Sequence, residues 1–396
     1  MTEPIPLNPD VLRWARECQH MSLEDVAARM KKDVALVESW ERGEAYPTYV
    51  QLEKLAYDIY KRPLALFFFP EPPAEETIEQ TFRTLPEFEL DRIPARVRFL
   101  LRKARVLQLN LGELYDENNP ANRKIIRDLR FSPSINAVEM ASRVRDYLGV
   151  SLDRQLAWRS TDDAMKYWRD ILEEVGVFVF KDTFNSTGKK KGPAEDCPIS
   201  GFCLYDPEFP IIYVNNNKPK TRQIFTLFHE LAHLLMHTGG VDTRHDDYIQ
   251  HLSGDNKRIE VLCNRFAAEF LVPADDFRAR SRGLVVDDNT LETLAGLYCV
   301  SRETILRRFL DQGRIDAAYY DSKVQQWAKE LKKRGTSGGL HFPTRGTYLG
   351  VRYVEAVFRN YHQGRISVDQ AADYLGDSTK NVPGMENWLF KRGATT

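Results

Sequence analysis

The sequence predicts a mainly α-helical protein with an α+β core, and three observations carry that reading. Apolar residues recur at helical spacing through residues 9–62 and again from about residue 93 to residue 173. The period then changes to alternation in "GVFVFKD" (176–182) and "ISGFCLYDPEFPIIYVNNN" (199–217), which are rich in Val, Ile, Phe and Tyr and read as three strands. Behind them, "FTLFHELAHLLMHT" (225–238) is apolar on every side of a helix, yet it carries three histidines and a glutamate.

Size and charge bound what such a chain can do. Its 396 residues exceed one ordinary domain. Composition and period divide them at 1–70, 71–165, 166–282, 283–332 and 333–396. Charged residues make up 29% but nearly cancel, to a formal net of −1, which argues against wholesale binding to nucleic acid or membrane and confines any such function to a local patch. "MTEPIPLNPD" has no basic stretch followed by an apolar one, so no secretory signal is expected. Apolar runs such as 64–69 are too short to span a bilayer. The five cysteines are odd in number, scattered, and never spaced CxxC. They read as reduced thiols of a cytoplasmic protein rather than as zinc ligands.

The first helices are short. "NPDVLRWARECQ" (8–19) has helical spacing, and "MSLEDVAARM" (21–30) opens on Ser22 as N-cap with Asp25 three residues on. "VALVESWERGEAYPT" (34–48) is stopped by Gly43 and Pro47, and "YVQLEKLAYDIY" (49–60) closes the set. The small pair Ala27–Ala28 allows close helix approach, as in helix-turn-helix packing. "MSLEDVAARM", "LVESWERGEAYPT" and "LEKLA" together resemble an Xre-type, phage-repressor-like helix-turn-helix domain. The resemblance implies a reading helix over residues 33–41, with Lys31, Lys32, Ser39 and Arg42 as DNA-contact candidates. Arg42 has an alternative role, paired within its own domain. A four-helix cap that binds only protein fits the same pattern. Residues 1–64 hold nine basic against eleven acidic side chains, a net of −2. Asp33, Glu38 and Glu41 on the groove-facing helix oppose phosphate.

A Pro- and Glu-rich connector follows (67–90), then a helix bearing Arg96, Arg98, Arg102, Lys103 and Arg105. That stripe reads as a solvated face, or else as a phosphate-contacting one. "SINAVEMASRVRDYLGV" (134–150) and "AMKYWRDILEEVGV" (164–177) are amphipathic helices. After the apolar helix, "TLETLAGLYCVSRETILRRFLDQG" (290–313) has a helix–turn–helix cadence with Ser301 as N-cap. A Gly-rich linker (331–346) leads to a tail (366–389) that repeats the cadence weakly.

The polar groups of the apolar helix need a reason to be there. Residues four apart on a helix stack about 5–6 Å from one another, so His229 and His233 can grip one small cation. Glu230 beside them can aim at a water on it. "HELAH" is a His-Glu-x-x-His pattern, which in a helix reads as a zinc site with a general base. A third ligand is required. His237 continues the stripe, but eight residues at about 1.5 Å each place it about 12 Å from His229. With no glycine to break the helix between them, His237 is expected to cap the helix or to stand behind the ligands. His245 and His251 lie in the following loop and stay open as ligands. Glu260 is the better candidate, because it shares a face with Cys263, Asn264, Ala267 and Leu271 on the next helix. Glu269, nine residues on, is its rival and reads as structural.

"RQIFTLFHELAHLLMH" followed by "IEVLCNRFAAEFLVP" resembles the ImmA/IrrE metallopeptidases, as does "ISGF…IIYVNNN", over roughly residues 176–310. The resemblance implies a gluzincin-like fold, a small sheet plus the HExxH helix; the C-terminal helix-turn-helix-like segments are read from their cadence alone. It makes His229, His233 and Glu260 zinc ligands and Glu230 the general base. Asn264 matches the family's asparagine, and Cys263 stands where the family usually has alanine. Tyr205, Tyr213 and His237 are the oxyanion candidates. The expected partner is a repressor- or antitoxin-like protein substrate. The head adds DNA, or a second copy of the chain, as further partners. The rival reading is a non-hydrolytic regulator whose peptidase fold serves as a sensor.

Overall fold

A computed structural model describes residues 3–19, 21–60, 62–73, 93–185, 197–238, 240–243, 252, 254–331 and 341–393. The chain forms two compact units, one of residues Met1–Thr81 and Glu87–Arg102, the other of Phe82–Pro86 and Lys103–Thr396. The divisions expected at 165, 282 and 332 fall inside the second unit. Among the described residues, no helix is long and apolar enough to cross a membrane.

The first unit holds α1 (Pro9–Glu17), α2 (Leu23–Met30), α3 (Val34–Glu41) and α4 (Tyr49–Glu53), then a π-helical turn (Lys54–Tyr60) and a 3-10 turn (Leu64–Phe68). The Ser22 hydroxyl accepts from the Asp25 N–H and the Asp25 carboxylate accepts from the Ser22 N–H, so α2 starts on a reciprocal cap. Lys31, left-handed at φ 56°, turns the chain from α2 into α3. Val11, Leu12, Val26, Val37, Trp40, Leu52 and Phe67 form the core.

Glu41 is not a surface charge. It is 4% exposed, and its two oxygens accept from Arg16 Nε at 2.7 Å and a terminal Arg16 nitrogen at 2.9 Å. The other terminal nitrogen donates to the Met21 carbonyl at 2.9 Å. Removing one partner of such a pair strands the other. Glu41→Leu is therefore expected to lower stability by about 3 kcal/mol in urea denaturation of the full chain, and adding Arg16→Met should recover part of that loss.

The chain continues with α5 (Ala95–Leu114), α6 (Ile125–Asp128), α7 (Ala137–Leu148), α8 (Leu152–Leu156) and α9 (Thr161–Glu174). The basic residues of α5 do not make one solvated or phosphate-facing stripe. Arg98 is buried and donates to the Ile93 carbonyl, and Arg96 lies over the Phe99 ring. Lys103 pairs with Asp182 at 2.6 Å, and Arg105 bonds to Gln108.

Strands β1 (Phe178–Asp182), β2 (Ile199–Leu204) and β3 (Ile211–Asn215) come next, then α10 (Lys220–Leu235) and β4 (Gly240–Thr243). The sheet runs β1-β3-β2-β4, with β1 parallel to β3 and the other pairings antiparallel. The fourth strand lies where the sequence read as loop. Val179, Cys203, Ile212 and Val214 share one core with Ile224, Leu227, Phe228 and Leu231 of α10. Phe180, Phe202 and Tyr213 alternate to the other face, where Tyr213 stacks with Phe180 and Phe202 and Phe184 lies tilted against Phe202 and Tyr213.

Gly201 sets how closely α10 can approach the sheet. A Cβ there would lie 2.5 Å from Thr226 Cγ2 and 2.7 Å from the Tyr213 carbonyl oxygen. Gly201→Ala is expected to cost about 1–3 kcal/mol by overpacking. A thermal transition equal to wild type would contradict that close approach.

The remaining helices are α11 (Gly254–Leu271), α12 (Ala274–Arg280), α13 (Asp288–Tyr298), α14 (Arg302–Asp311), α15 (Ala317–Leu331), α16 (His341–Leu349), α17 (Val351–His362), α18 (Val368–Leu375) and α19 (Val382–Gly393). The C-terminal helices share contacts with the sheet and its neighbours. Tyr353 meets Phe180 edge-on at 5.4 Å. Asn360 donates to the Leu114 carbonyl at 3.0 Å, and Arg169 of α9 donates to the Thr347 carbonyl at 2.6 Å.

Candidate metal centre

Helix α10 is buried on every face: from Gln223 to Leu235 only Phe225 is partly exposed. Its register against α9 and α11 is fixed by three rings. Phe228 stacks on Phe270 at 4.2 Å, and Trp168 meets them edge-on at 4.8 and 5.3 Å. Phe228 precedes His229, so this packing sets where the histidine faces.

His229, His233 and Glu260 are brought together in the space between α10 and α11. Their ligand atoms all lie within 4.8 Å of one another, and they form the one such group found among the described residues. The two Nε2 atoms are 3.3 Å apart. Glu260 places one oxygen 3.5 Å from His229 Nε2 and the other 3.4 Å from His233 Nε2. All three residues are 0–1% exposed, and Glu230 is fully buried beside them.

The other ring nitrogens state which proton each imidazole carries. His229 Nδ1 lies 3.0 Å from Asn264 Oδ1, an acceptor, so Nδ1–H donates and Nε2 keeps its lone pair. His233 Nδ1 lies 3.3 Å from the Thr238 hydroxyl, whose own proton goes to the His233 carbonyl at 3.1 Å. Nδ1–H therefore donates here too. Two nitrogen lone pairs and a carboxylate then converge on one buried point, an arrangement that favours a cation at its centre. The donor set fits a divalent metal ion.

Other singled-out residues lie elsewhere. Helix α10 stops at Leu235 without a glycine, because His237 takes the left-handed conformation at φ 58°. Histidine tolerates that region better than most residues. The His237 ring is turned away, with Nε2 3.2 Å from the Ile126 carbonyl and its face 4.8 Å from Tyr205. Tyr213 lies on the far side of the sheet, its hydroxyl 3.4 Å from Asp182. Glu269 is occupied with packing: it accepts from the Ala274 N–H at 3.0 Å and from Arg308 at 2.7 Å. His245 and His251 lie outside the described residues. Of the DNA-contact candidates, Lys31 and Lys32 are exposed, Ser39 bonds to the Leu36 carbonyl, and Arg42 pairs with Glu38. Thr238 went unnoticed in the sequence, since nothing in its spacing marks it until the turn at His237 is known.

Comparison with known proteins bears on this site. Residues 172–310 match the family model Peptidase M78, described as the IrrE N-terminal-like domain. A stretch of 73 residues, 18% of this chain, is 41% identical to the radiation response metalloprotease IrrE of Deinococcus deserti. The match spans 25% of that relative's length. Both findings support the ImmA/IrrE family and a metallopeptidase, and the family implies a metal ion.

Proposed function

We propose that the chain is a zinc-dependent endopeptidase that cuts a repressor- or antitoxin-like protein and so controls transcription, in a stress or mobile-element response in the cytoplasm. The observation that carries this reading is the convergence of His229 Nε2, His233 Nε2 and the Glu260 carboxylate, with both imidazole tautomers set by their outer partners. Three protein donors leave a further position for water or substrate. Held by His229, His233 and Glu260, zinc would supply Lewis acidity to this site.

The protein's own residues do the rest. Glu230 takes a proton from the attacking water on its carboxylate and hands it to the leaving amine nitrogen. The apolar shell of Leu227, Phe228, Leu231 and Phe270 excludes bulk water and keeps the ligand rings in place. Asn264 holds the His229 ring.

The first unit, in this reading, is an Xre-type helix-turn-helix domain in which α2 and α3 form the pair. Arg16 neutralises Glu41, which lightens the acidic load on α3, but Arg42 is taken by Glu38. Recognition of the repressor-like partner itself is the favoured role for this unit. DNA binding by a non-hydrolytic regulator is the second reading, favoured by exposed Lys31 and Lys32.

The test is incubation of the full chain with a panel of Xre-type repressors, with chelator and with zinc added back. Cleavage at a fixed bond, lost with chelator and restored by about one equivalent of zinc, is expected. Zinc uptake with no cleavage of any repressor, together with salt-dependent promoter binding, would establish the regulator instead.

A further inference from the structure

We infer that Thr238 is the positioning residue for His233, and that the left-handed turn at His237 exists to deliver it. This rests on the proposed metal site. Helix α10 ends in a six-to-one closure: the Thr238 N–H donates to the His233 carbonyl at 3.0 Å, and the His237 N–H to that of Leu234 at 2.9 Å. Such closures need a left-handed residue, usually glycine. Here His237 fills that place, and its ring is secured by the Ile126 carbonyl at 3.2 Å and by Tyr205. The segment after α6 clamps the same helix end, with the Phe131 N–H donating to the Leu235 carbonyl at 3.0 Å.

The turn folds residue 238 back over the ligand five positions earlier. Its hydroxyl then makes two bonds to one residue. It donates its single proton to the His233 carbonyl at 3.1 Å and accepts from His233 Nδ1–H at 3.3 Å. Because that proton is committed, the oxygen can only accept from the ring. His233 is thereby held with its proton on Nδ1 and its Nε2 lone pair toward Glu260, 3.4 Å away. Asn264 does the same for His229 from a different helix. Each histidine ligand thus has its own outer partner, one from α11 and one from the end of α10 itself.

Thr238→Val and Thr238→Ser separate this role from helix capping, since both keep the backbone N–H that closes the helix. Valine keeps the branched shape and loses the hydroxyl; serine keeps the hydroxyl. The full-length chain would be titrated with Co²⁺ against a competing chelator. His233 would be followed in the metal-free chain by long-range ¹H–¹⁵N NMR. Thr238→Val is expected to bind Co²⁺ about 10-fold more weakly and to show His233 as a mixture of tautomers. Thr238→Ser is expected to stay within about 3-fold of wild type, with the proton on Nδ1. Wild-type affinity and an unchanged Nδ1–H tautomer in Thr238→Val would overturn the assignment. Should wild type take up no metal, the peptidase reading falls, while the tautomer in the metal-free chain still decides the role of Thr238.

Discussion

Glu230→Gln is expected to keep its metal and lose peptide cleavage, with kcat/KM falling by about 10²–10⁴-fold, the usual contribution of a general acid–base group. The amide has nearly the carboxylate's shape but cannot take a proton from water. Glu230 is not among the three residues whose donor atoms converge, so metal content should stay at the wild-type level. It sits fully buried on α10 between the two imidazole ligands in sequence, so a change of packing has to be separated from a change of chemistry. Metal analysis and a thermal transition measured beside the cleavage assay do that. Loss of cleavage with metal and fold intact supports proton transfer. Cleavage at the wild-type rate would remove Glu230 from the reaction.

Glu260→Ala acts one step earlier. It leaves two imidazoles where three donors stood, and metal affinity is expected to fall by at least about 100-fold, the upper end of what loss of an outer partner alone costs. Glu269→Ala on the same helix is the control. Its carboxylate bonds the Ala274 N–H and Arg308, so its removal strands a buried guanidinium and lowers stability by about 3 kcal/mol. Metal content in Glu269→Ala should be unchanged. If chelator competition found the two variants alike in affinity, Glu260 would not be the third ligand.

The parts of this protein that were legible in its sequence are those set by spacing along a single helix. His229 and His233 face one way because they are four apart, and Glu260 joins them from the next helix, whereas His237 stands apart for a reason the straight-helix rise did not foresee: the helix ends at Leu235 and the chain turns left-handed at His237. The cap on α2 was likewise readable from Ser22 and Asp25. What escaped depends on partners far away in the chain. Glu41 reads as a surface charge until Arg16, 25 residues earlier, is seen to cover it. The arginine stripe on α5 reads as one face, but Lys103 finds its partner, Asp182, 79 residues on. The strand at Gly240–Thr243 was missed because glycine and aspartate are poor strand formers, and its backbone pairs with β2, far back in the chain. The C-terminal helices read as a separate domain, since no local pattern shows Tyr353 resting on Phe180. Thr238 was hidden for a related reason: its place follows from a left-handed histidine, which propensity alone does not foresee.

The most direct measurement is anomalous diffraction at the zinc edge from crystals of the full chain grown with zinc. One strong peak is expected between α10 and α11, within about 2.0–2.2 Å of His229 Nε2, His233 Nε2 and a Glu260 oxygen. A fully loaded chain whose zinc lies elsewhere, with those three side chains left out of its coordination, would contradict the account.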